Sequence, residues 1–363
     1  MARSTVLVET TALQLDWYEQ DHAPKATLPT CQSFESIVRE KPDFFEYLHS
    51  EIFPQLAPPP YGAIEIERLS LNKPVYLITE QVKNVTVVAK VFRYSSRTLA
   101  EAWQSADKEY SNLSLLRNEF GMDEGAYQVV APLGKKKELS ALLVTEKAPG
   151  RMLDCYIAKA IYEHQSALLF GALSFLAKFL LKLHRNSQDD RPVSADLPQR
   201  YLSGLYEDLG GWLLTPDDRD AIEGYAARWW DEDDLFSTDG EVIVHGDATP
   251  TNFLFHGDQV TAIDLERMKW ADRCWDLGFV AAELKHHFMW RAGDRWAAEP
   301  FIGHFLWEYA ANYEGERFFH ALTSKIPLYM ALGLLRIARN TWLDEPHRRE
   351  LIAEARKCLE YGL

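Results

Sequence analysis

One segment, residues 242–264, constrains the fold of this chain more than any other. It opens with the β-branched run Val242–Val244, which predicts a short strand. Two further strands are predicted at Phe253–Phe255 and Val260–Ile263, because Gly and Asp, which favour turns, separate the two apolar runs. The segment therefore predicts a strand, a loop and a β-hairpin, and the hairpin would fold the residue after its second strand back beside the loop.

Three polar side chains in this segment together suit phosphoryl transfer. Asp247 lies on the loop, Asn252 follows it by five residues, and Asp264 comes directly after the hairpin. In phosphoryl transfer one carboxylate accepts the proton of the attacking hydroxyl, while an amide and a second carboxylate hold magnesium ions at the nucleotide phosphates. The spacing predicts Asp247 as the catalytic base and predicts Asn252 and Asp264 as metal ligands.

The His-Gly-Asp triplet at 245–247 occurs a second time at 256–258. Five residues after its aspartate the second copy has Ile263, not asparagine, and it is interpreted as the hairpin turn. A metal hydrolase that uses both histidines and the two aspartates of the segment is an alternative. It is disfavoured because the turn would point His256 away and no pattern orients such a ligand set.

Size and composition indicate a folded chain without a nucleic-acid partner. The chain has 363 residues, enough for two domains or lobes, and 47% of them are hydrophobic and 26% charged, so a buried core is expected. The net charge of -15 argues against binding to a phosphate backbone. An acidic surface would favour cationic small molecules, or it would serve solubility only.

Cysteine usage and apolar stretches indicate a cytoplasmic protein. The four cysteines are Cys31, Cys155, Cys274 and Cys358. Their spacing matches no zinc site, so reduced thiols are expected. Acidic residues interrupt the N-terminus, which therefore does not resemble a signal peptide. Two lysines interrupt the longest apolar stretch, residues 167–183, which predicts a buried or amphipathic helix and no membrane span.

Three regions follow one another along the chain. Residues 1–61 form an extension that ends near three prolines; capping, docking on the main body and a dimer contact are all open roles. Residues 62–147 are predicted to be mostly strand, with one helix that begins at a capping box of Thr98 and Glu101. Residues 148–363 are predicted to be mainly helical.

A lysine within the third predicted strand is a candidate for binding nucleotide phosphates. Lys90 stands in the apolar run Val87–Phe92, and Glu109 lies beside the apolar stripe of the following helix, so the two can face each other. A strand lysine paired with a helix glutamate orients the phosphates in kinases. An edge-strand lysine that points to water is the alternative, and Glu101 is a rival partner that already has a capping role.

No glycine-rich loop lies between the first two predicted strands. Ser70 and Asn72, with nearby backbone amides, could approach phosphates instead, but an ordinary hairpin loop is an equal alternative. The adenine is expected near Glu146 and Ala148, at the link between the two regions, where it would use backbone groups.

These motifs resemble those of the aminoglycoside phosphotransferase and choline kinase family over roughly residues 62–345. The resemblance is carried by His245-Gly246-Asp247 with Asn252, by Ile263-Asp264-Leu265-Glu266, by Trp275-Asp276-Leu277-Gly278, by Leu183-His184 and by Leu334–Arg339. It implies an α+β, protein-kinase-like bilobal fold, with a small β-rich N-lobe at 62–147 and a larger helical C-lobe at 148–363.

The resemblance also implies roles for individual residues. Asp247 would be the catalytic base, Asn252 and Asp264 the magnesium ligands, and Lys90 with Glu109 the pair that orients the phosphates. In addition, His245 would shape the catalytic loop, and Asp276 would be a buried aspartate that hydrogen-bonds to that loop. The loop sequence Ala248–Thr251 and the stretch Trp270–Arg273 depart from the family pattern, and the second departure lies where the acceptor would bind.

The expected function is therefore ATP-dependent transfer of a phosphoryl group to a hydroxyl of a small molecule, with Mg²⁺ as the metal and GTP as the alternative nucleotide. The acceptor would be aminoglycoside-, choline- or sugar-like and could be cationic. A kinase-like nucleotide-binding scaffold without catalysis is the second hypothesis, favoured by the absence of the glycine loop. Nothing in the sequence indicates an oligomeric state.

Carboxylates and indoles past the second aspartate are candidates for the acceptor pocket, since such groups suit an amino sugar or a quaternary amine. The candidates are Asp272, Glu283, Asp294, Trp270, Trp290 and Trp296. Core packing and solvation are the alternatives for any one of them. His286 and His287 are predicted to lie on the surface of a helix.

Overall fold

The computed structural model describes residues 42–70, 73–230, 236, 239–313 and 315–362. Two compact units make up the described chain. One contains the described residues up to Glu119 together with Val129–Ala148, and the other contains Phe120–Gln128 and the described residues from Pro149 onwards. The candidate phosphate ligand Asn72 lies outside the described residues, as do residues 1–41 of the predicted extension.

The strands, in chain order, are β1 (Ile64–Arg68), β2 (Val75–Glu80), β3 (Val85–Val91), β4 (Tyr127–Val129), β5 (Pro132–Lys136), β6 (Leu142–Glu146), β7 (Arg151–Met152), β8 (Val242–Val244), β9 (Phe253–His256), β10 (Gln259–Ala262) and β11 (Lys269–Ala271). The helices are α1 (Pro42–Tyr47), α2 (Leu99–Glu119), α3 (Leu153–Tyr162), α4 (Ser166–Asn186), α5 (Asp196–Leu213), α6 (Pro216–Trp230), α7 (Cys274–Ala292), α8 (Glu299–Ala311), α9 (Glu316–Thr323), α10 (Ile326–Ala338) and α11 (Glu345–Tyr361).

The first unit is built on an antiparallel sheet of five strands in the order β1-β2-β3-β6-β5. Side chains alternate between the two faces of a strand, so the two faces of the sheet pack against different elements. Val87, Ala89 and Val91 of β3 lie in an apolar cluster with α1 and the turns that follow it. On the opposite face, Leu143 of β6 packs with α2 in a second apolar cluster.

The described end of the predicted extension, residues 42–55, is part of this unit. Phe44, Leu48, Ile52 and Phe53 are all buried in the cluster on the sheet. They lie along α1, a π-helical turn and a 3-10 turn; Phe44, Leu48 and Ile52 follow one another at a spacing of four residues, which places them on one side. These residues therefore form part of the apolar cover of the sheet in the first unit.

The helix α2 begins where the capping box predicts. Thr98 N donates to the Glu101 carboxylate at 2.8 Å, and Glu101 N donates to the Thr98 hydroxyl at 3.3 Å. The two reciprocal bonds satisfy backbone donors that an open helix end would leave unpaired. Glu101 is therefore occupied by its capping role, which leaves the inward position of α2 to Glu109.

The second unit is mainly helical, and α7 lies at its centre. Almost the whole length of α7 is buried, and it packs most extensively against α10. Gly278 permits this approach, because a Cβ at that position would overlap Tyr329. The prediction that His286 and His287 lie on a helix surface is wrong: both are buried, since helices surround α7, and the His286 Nδ1 and His347 Nε2 atoms are 2.9 Å apart.

The long apolar helix α4 packs against α3 and α8 and buries ten of its residues. By length and composition alone it could also cross a membrane, as could the bent pair α9–α10. Half of the apolar window of α4 is buried inside the fold, which is typical of a core helix in a folded protein.

Candidate active site

The predicted pair of Lys90 and Glu109 is present in the first unit. Lys90 shares its face of β3 with α2 because its neighbours Ala89 and Val91 point to the other cover. Its Nζ donates to the Glu109 Oε2 atom at 2.6 Å, and the two side chains are 15% and 4% exposed. The ammonium group also lies 4.8 Å from the centre of the Phe92 ring. A nearly buried cation is thus held by a nearly buried carboxylate.

The other nucleotide candidates of this unit have local structural contacts. The Ser70 hydroxyl accepts from Lys73 N at 3.2 Å, and its carbonyl accepts from Arg68 Nε at 2.7 Å, as in an ordinary turn. The Glu146 carboxylate accepts from Ala131 N at 2.8 Å. Ala148 lies just past β6 in a stretch without helix or strand.

In the second unit a buried carboxylate shapes the catalytic loop. The backbone amides of His245 and Gly246 donate to the two oxygens of Asp276 at 2.7 and 3.0 Å. Burial would raise the pKa of Asp276, but hydrogen bonds from His184 and the Gly246 amide outweigh it and hold the pKa below its usual range. The His245 ring reaches the Ile263 carbonyl with its Nε2 at 3.0 Å. These contacts make His245 and Asp276 supports of the loop.

Gly246 is required at its place in this loop. Its φ is 78°, in the region that glycine adopts without strain. A Cβ there would also overlap the Arg267 carbonyl oxygen. The loop can therefore turn sharply after β8 and present the next residue, Asp247, beside the segment that follows the hairpin.

The hairpin of β9 and β10 brings the predicted metal ligands to one end. Phe253 pairs with Ala262, and Ile263 N donates to the Asn252 carbonyl at 3.0 Å. The Asn252 side-chain amide donates to the Asp247 carbonyl at 2.9 Å, which fixes the amide beside the loop. Asp264 follows with a left-handed φ of 61°.

A third oxygen donor, Glu266, has no role in the predictions from sequence. Its carboxylate and that of Asp264 have oxygens within 4.8 Å of each other. Carboxylate and amide oxygens are the ligands that Mg²⁺ prefers. Asn252, Asp264 and Glu266 together therefore have the chemistry of a magnesium site. The family motif Ile263–Glu266 includes this glutamate, but no role is predicted for it from the sequence.

Arginines also flank Asp247. Arg336 of α10 donates from its Nη2 to Asp247 Oδ1, and Arg267 Nε lies 3.8 Å from Oδ2. Arg336 also donates from Nη1 to Glu283 Oε1 at 3.1 Å. Burial raises the pKa of Glu283 to about 7. Leu334–Arg339 was recognised as a family motif, but the sequence did not indicate that Arg336 reaches the catalytic loop.

Most acceptor candidates are engaged in structural contacts. Asp272 is buried, accepts from Lys325 Nζ at 2.7 Å and accepts from Cys274 N at 2.8 Å, so its carboxylate is already satisfied. Asp294 accepts from the backbone of Trp296, an indole that is largely exposed.

Two of the predicted indoles also have structural neighbours. Trp290 stacks on His286 at 5.6 Å between ring centres. Trp270 lines a cavity of about 190 Å³ together with Asp272, Trp275 and Tyr329. Of the six acceptor candidates, Glu283 is the one that Arg336 links to Asp247.

Comparison with known proteins gives the family. A family model described as "Phosphotransferase enzyme family" matches residues 71–319 of the 363. Because this match spans more than half of the chain, the chain belongs to the phosphotransferase enzyme family. A search of curated protein sequences finds no match.

Solved structures support the same fold. The chain is similar to an ethanolamine kinase from Plasmodium vivax, with a TM-score of 0.53 and 13% identity over 82% of this chain and 81% of that one. A putative aminoglycoside phosphotransferase from Ralstonia eutropha gives a TM-score of 0.55 and 13% identity over 87% and 97%. The ADP-bound aminoglycoside phosphotransferase APH(2'')-Ib gives 0.52 and 16% over 88% and 97%. The predicted α+β, kinase-like fold is confirmed, with its β-rich N-terminal and helical C-terminal regions.

Proposed function

We propose that this protein transfers the γ-phosphoryl group of ATP to a hydroxyl of a small molecule. Family membership supports a small-molecule phosphotransferase. The observation that carries the proposal is the catalytic loop, in which the Asn252 amide bonds to the Asp247 backbone and the hairpin adds Asp264 at the same end. This arrangement has the base and the two metal ligands of phosphoryl transfer within one short segment.

Both units contain groups that suit the reaction. Lys90, oriented by Glu109, would bind the α- and β-phosphates of the nucleotide. Asn252 and Asp264, with Glu266 nearby, would hold magnesium, which neutralises phosphate charge when it is bound.

The chemical step would centre on Asp247. The acceptor hydroxyl gives its proton to the Asp247 carboxylate, and the oxygen electron pair forms the bond to the γ-phosphorus. The bond from that phosphorus to the β,γ-bridging oxygen breaks, and ADP leaves with the electron pair. Positioning and charge neutralisation supply most of the rate in such a step, so the fixed loop matters as much as the carboxylate.

The acceptor we propose is a small polyhydroxy compound or amino alcohol. Two neighbours with the same fold are named as an aminoglycoside phosphotransferase and an ethanolamine kinase. The net charge of -15 favours an acceptor that is cationic. ATP is the proposed nucleotide, with GTP as the alternative, and one neighbour has ADP bound. We place the reaction in the cytoplasm.

A catalytically inactive nucleotide-binding scaffold is the second candidate. It is favoured by the connection between β1 and β2, which has no glycine in its sequence and in which the Ser70 hydroxyl is bonded to the Lys73 amide. The complete set of Lys90, Glu109, Asp247, Asn252 and Asp264 favours the enzyme.

Radiolabelled phosphate transfer distinguishes the two candidates. Purified protein is incubated with γ-labelled ATP or GTP and magnesium, together with ethanolamine, choline, an amino sugar or an aminoglycoside. Labelled acceptor, or labelled phosphate released by water, is expected from the enzyme, whereas nucleotide binding without any release of label identifies the scaffold.

The variant Asp264→Ala tests the proposed metal ligand. Loss of one of the oxygen donors should weaken binding of magnesium-ATP itself, by roughly 10- to 100-fold, because the phosphate charges lose part of their counter-charge. Titration calorimetry measures this binding. Asp258→Ala, which removes the aspartate of the hairpin turn, is the matched control and should bind as the wild type does. An unchanged affinity in Asp264→Ala would rule out the metal role.

A further inference from the structure

The guanidinium of Arg336 connects the catalytic loop to the core of the second unit. Its Nη2 donates to Asp247 Oδ1, and its Nη1 donates to Glu283 Oε1 at 3.1 Å. The side chains of Arg336, Asp247 and Glu283 are 12%, 15% and 11% exposed, so all three lie mostly out of water. One cation is therefore shared by two carboxylates. Along the chain, Arg336 is 89 residues from Asp247 and 53 residues from Glu283.

We propose that Arg336, held in place by Glu283, is a positioning residue that fixes the Asp247 carboxylate and thereby makes Oδ2 the oxygen that receives the proton. This inference rests on the proposed function and adds to it an assignment of the two carboxylate oxygens. The balance of the step is unchanged: the hydroxyl proton goes to Oδ2, its oxygen bonds to the γ-phosphorus, and ADP leaves with the electron pair of the broken bond.

The contacts of Asp247 separate its two oxygens. Oδ1 accepts the bond from Arg336, whereas no group among the described residues donates a hydrogen bond to Oδ2. Arg267 Nε lies 3.8 Å from Oδ2, beyond hydrogen-bond distance, on a side chain that is 46% exposed. Oδ2 consequently keeps its lone pairs for an incoming hydroxyl.

The position of Arg336 is fixed by packing as well as by charge. It lies on α10, which packs closely along α7, the helix of Glu283. The guanidinium carbon lies 5.5 Å from the centre of the Phe279 ring, also on α7. A planar guanidinium that bonds to two carboxylates and rests against a ring has little freedom to turn. The Asp247 carboxylate, which is bonded to the guanidinium, is therefore restricted as well.

The two carboxylates would not hold each other in this arrangement. Without Arg336, the Asp247 carboxylate would lose the bond that fixes its Oδ1 beside Glu283, in a place with little access to water. Asp247 would then be expected to rotate toward solvent and lose its direction toward the hydroxyl. Small displacements of a catalytic group are costly, since about 1 Å of misplacement can lower a rate on the order of 100-fold.

Arg339, the residue directly after α10, provides a matched control. It is also an arginine in an ion pair, with its Nη1 2.6 Å from Asp208 Oδ2, but its partner is not a residue of the catalytic loop. Arg336→Ala and Arg339→Ala therefore remove the same chemical group from positions three residues apart, and only the first contacts Asp247.

The test compares kcat with magnesium-ATP binding in these variants. The reaction is ATP turnover, with water as the acceptor or with whichever compound the transfer screen identifies. In Arg336→Ala we expect kcat to fall about 10- to 100-fold, while the calorimetric Kd for magnesium-ATP stays within about threefold. Arg339→Ala should keep the wild-type kcat. Arg336→Lys should recover part of the loss, because an ammonium group restores the charge but not the geometry in which one planar group donates two hydrogen bonds.

Different outcomes contradict different parts of the proposal. A wild-type kcat in Arg336→Ala, or an equal loss in Arg339→Ala, would overturn the positioning role and leave the phosphotransferase in place. A wild-type protein without any turnover would refute the phosphotransferase and this role together.

A second variant covers the case in which Arg336→Ala does not fold. Glu283→Gln keeps the Arg336–Asp247 contact but weakens the anchor of Arg336, and a several-fold lower kcat with unchanged nucleotide affinity is expected. An unchanged kcat in that variant would overturn the part assigned to Glu283.

Discussion

Buried charges are paired differently in the two units. In the first unit, Lys90 Nζ bonds to the carboxylate of Glu109 at 2.6 Å. In the second unit, one cation meets two anions, because Arg336 binds both Asp247 and Glu283. Burial, together with the nearby charge of Asp247, raises the pKa of Glu283 to about 7, so this second cluster is close to losing one of its charges near neutral pH.

The difference suggests a division of tasks. In the first unit, the bond to Glu109 fixes the direction in which Lys90 presents its ammonium group. In the second unit, Arg336 holds Oδ1 of Asp247, and Oδ2 remains the basic oxygen. The first arrangement suits binding of an anion, and the second suits the transfer of a proton.

Loss of the Asp247 carboxylate should have the largest effect on activity. Asp247→Asn keeps the shape of the side chain and leaves Glu283 to neutralise Arg336, so the fold should be retained while the proton acceptor is lost. We expect kcat to fall on the order of 10²- to 10⁴-fold, with magnesium-ATP affinity little changed. Steady-state kinetics combined with calorimetry checks this. Activity within tenfold of wild type would mean that Asp247 is not the base.

Breaking the Lys90–Glu109 pair should cost stability. Lys90→Met removes the cation bonded to the nearly buried Glu109 carboxylate, and we expect the free energy of unfolding to fall by about 3 kcal/mol, at the low end for a buried pair, because Lys90 retains some exposure. Denaturant unfolding measures this value.

An exposed pair of the same unit serves as the control for Lys90→Met. Lys136 lies 2.9 Å from Glu51, and the two side chains are 38% and 54% exposed, well above those of the Lys90 pair. Lys136→Met should leave stability almost unchanged. Equal losses in the two variants would show that the burial of the Lys90 pair carries no special cost.

Separation of α7 from α10 should weaken the second cluster without removing any charge. Gly278→Ala adds a Cβ that would overlap Tyr329, and we expect a loss of about 1–3 kcal/mol in unfolding free energy together with lower activity. Gly303→Ala in α8, where a Cβ meets open space, is the control and should raise stability by up to about 1 kcal/mol. A neutral result for Gly278→Ala would show that the two helices can move apart freely.

The pH dependence of stability provides the finest comparison. The folded-state pKa of Glu283 is raised to about 7 from 4.5, so its contribution to stability is present below pH 4.5 and is lost as pH rises through 7. Glu283→Gln removes this titration. Its stability relative to wild type should therefore increase between pH 4.5 and 8, by up to about 3 kcal/mol. Denaturant unfolding across this range tests the sign, and a constant difference would contradict the raised pKa.

The sequence predicts those parts of the site that depend on local periodicity. Alternation along β3 and helical spacing along α2 predict that Lys90 and Glu109 meet, and they do. The Gly-Asp turn predicts the hairpin that brings Asp264 to the end where Asn252 lies. These features need only a few neighbouring residues, so their physical cause is visible in the sequence.

Contacts between distant helices could not be predicted in this way. Arg336 reaches Asp247 because α10 packs on α7, and no periodicity in either helix specifies its partner. The same limit explains the error on His286 and His287. Polar residues on a helix usually indicate a surface, but α7 is enclosed by other helices and its histidines bond within the core.

The cover on the sheet of the first unit affects how the chain tolerates shortening. Because Phe44, Leu48, Ile52 and Phe53 shield one face of the sheet, a version trimmed to start at Ile64 would expose that face to water. An uncovered apolar surface of this kind promotes self-association and precipitation. Trimming from the N-terminus should therefore stop before residue 42 if the protein is to remain dispersed at the concentrations that crystallisation or magnetic resonance requires.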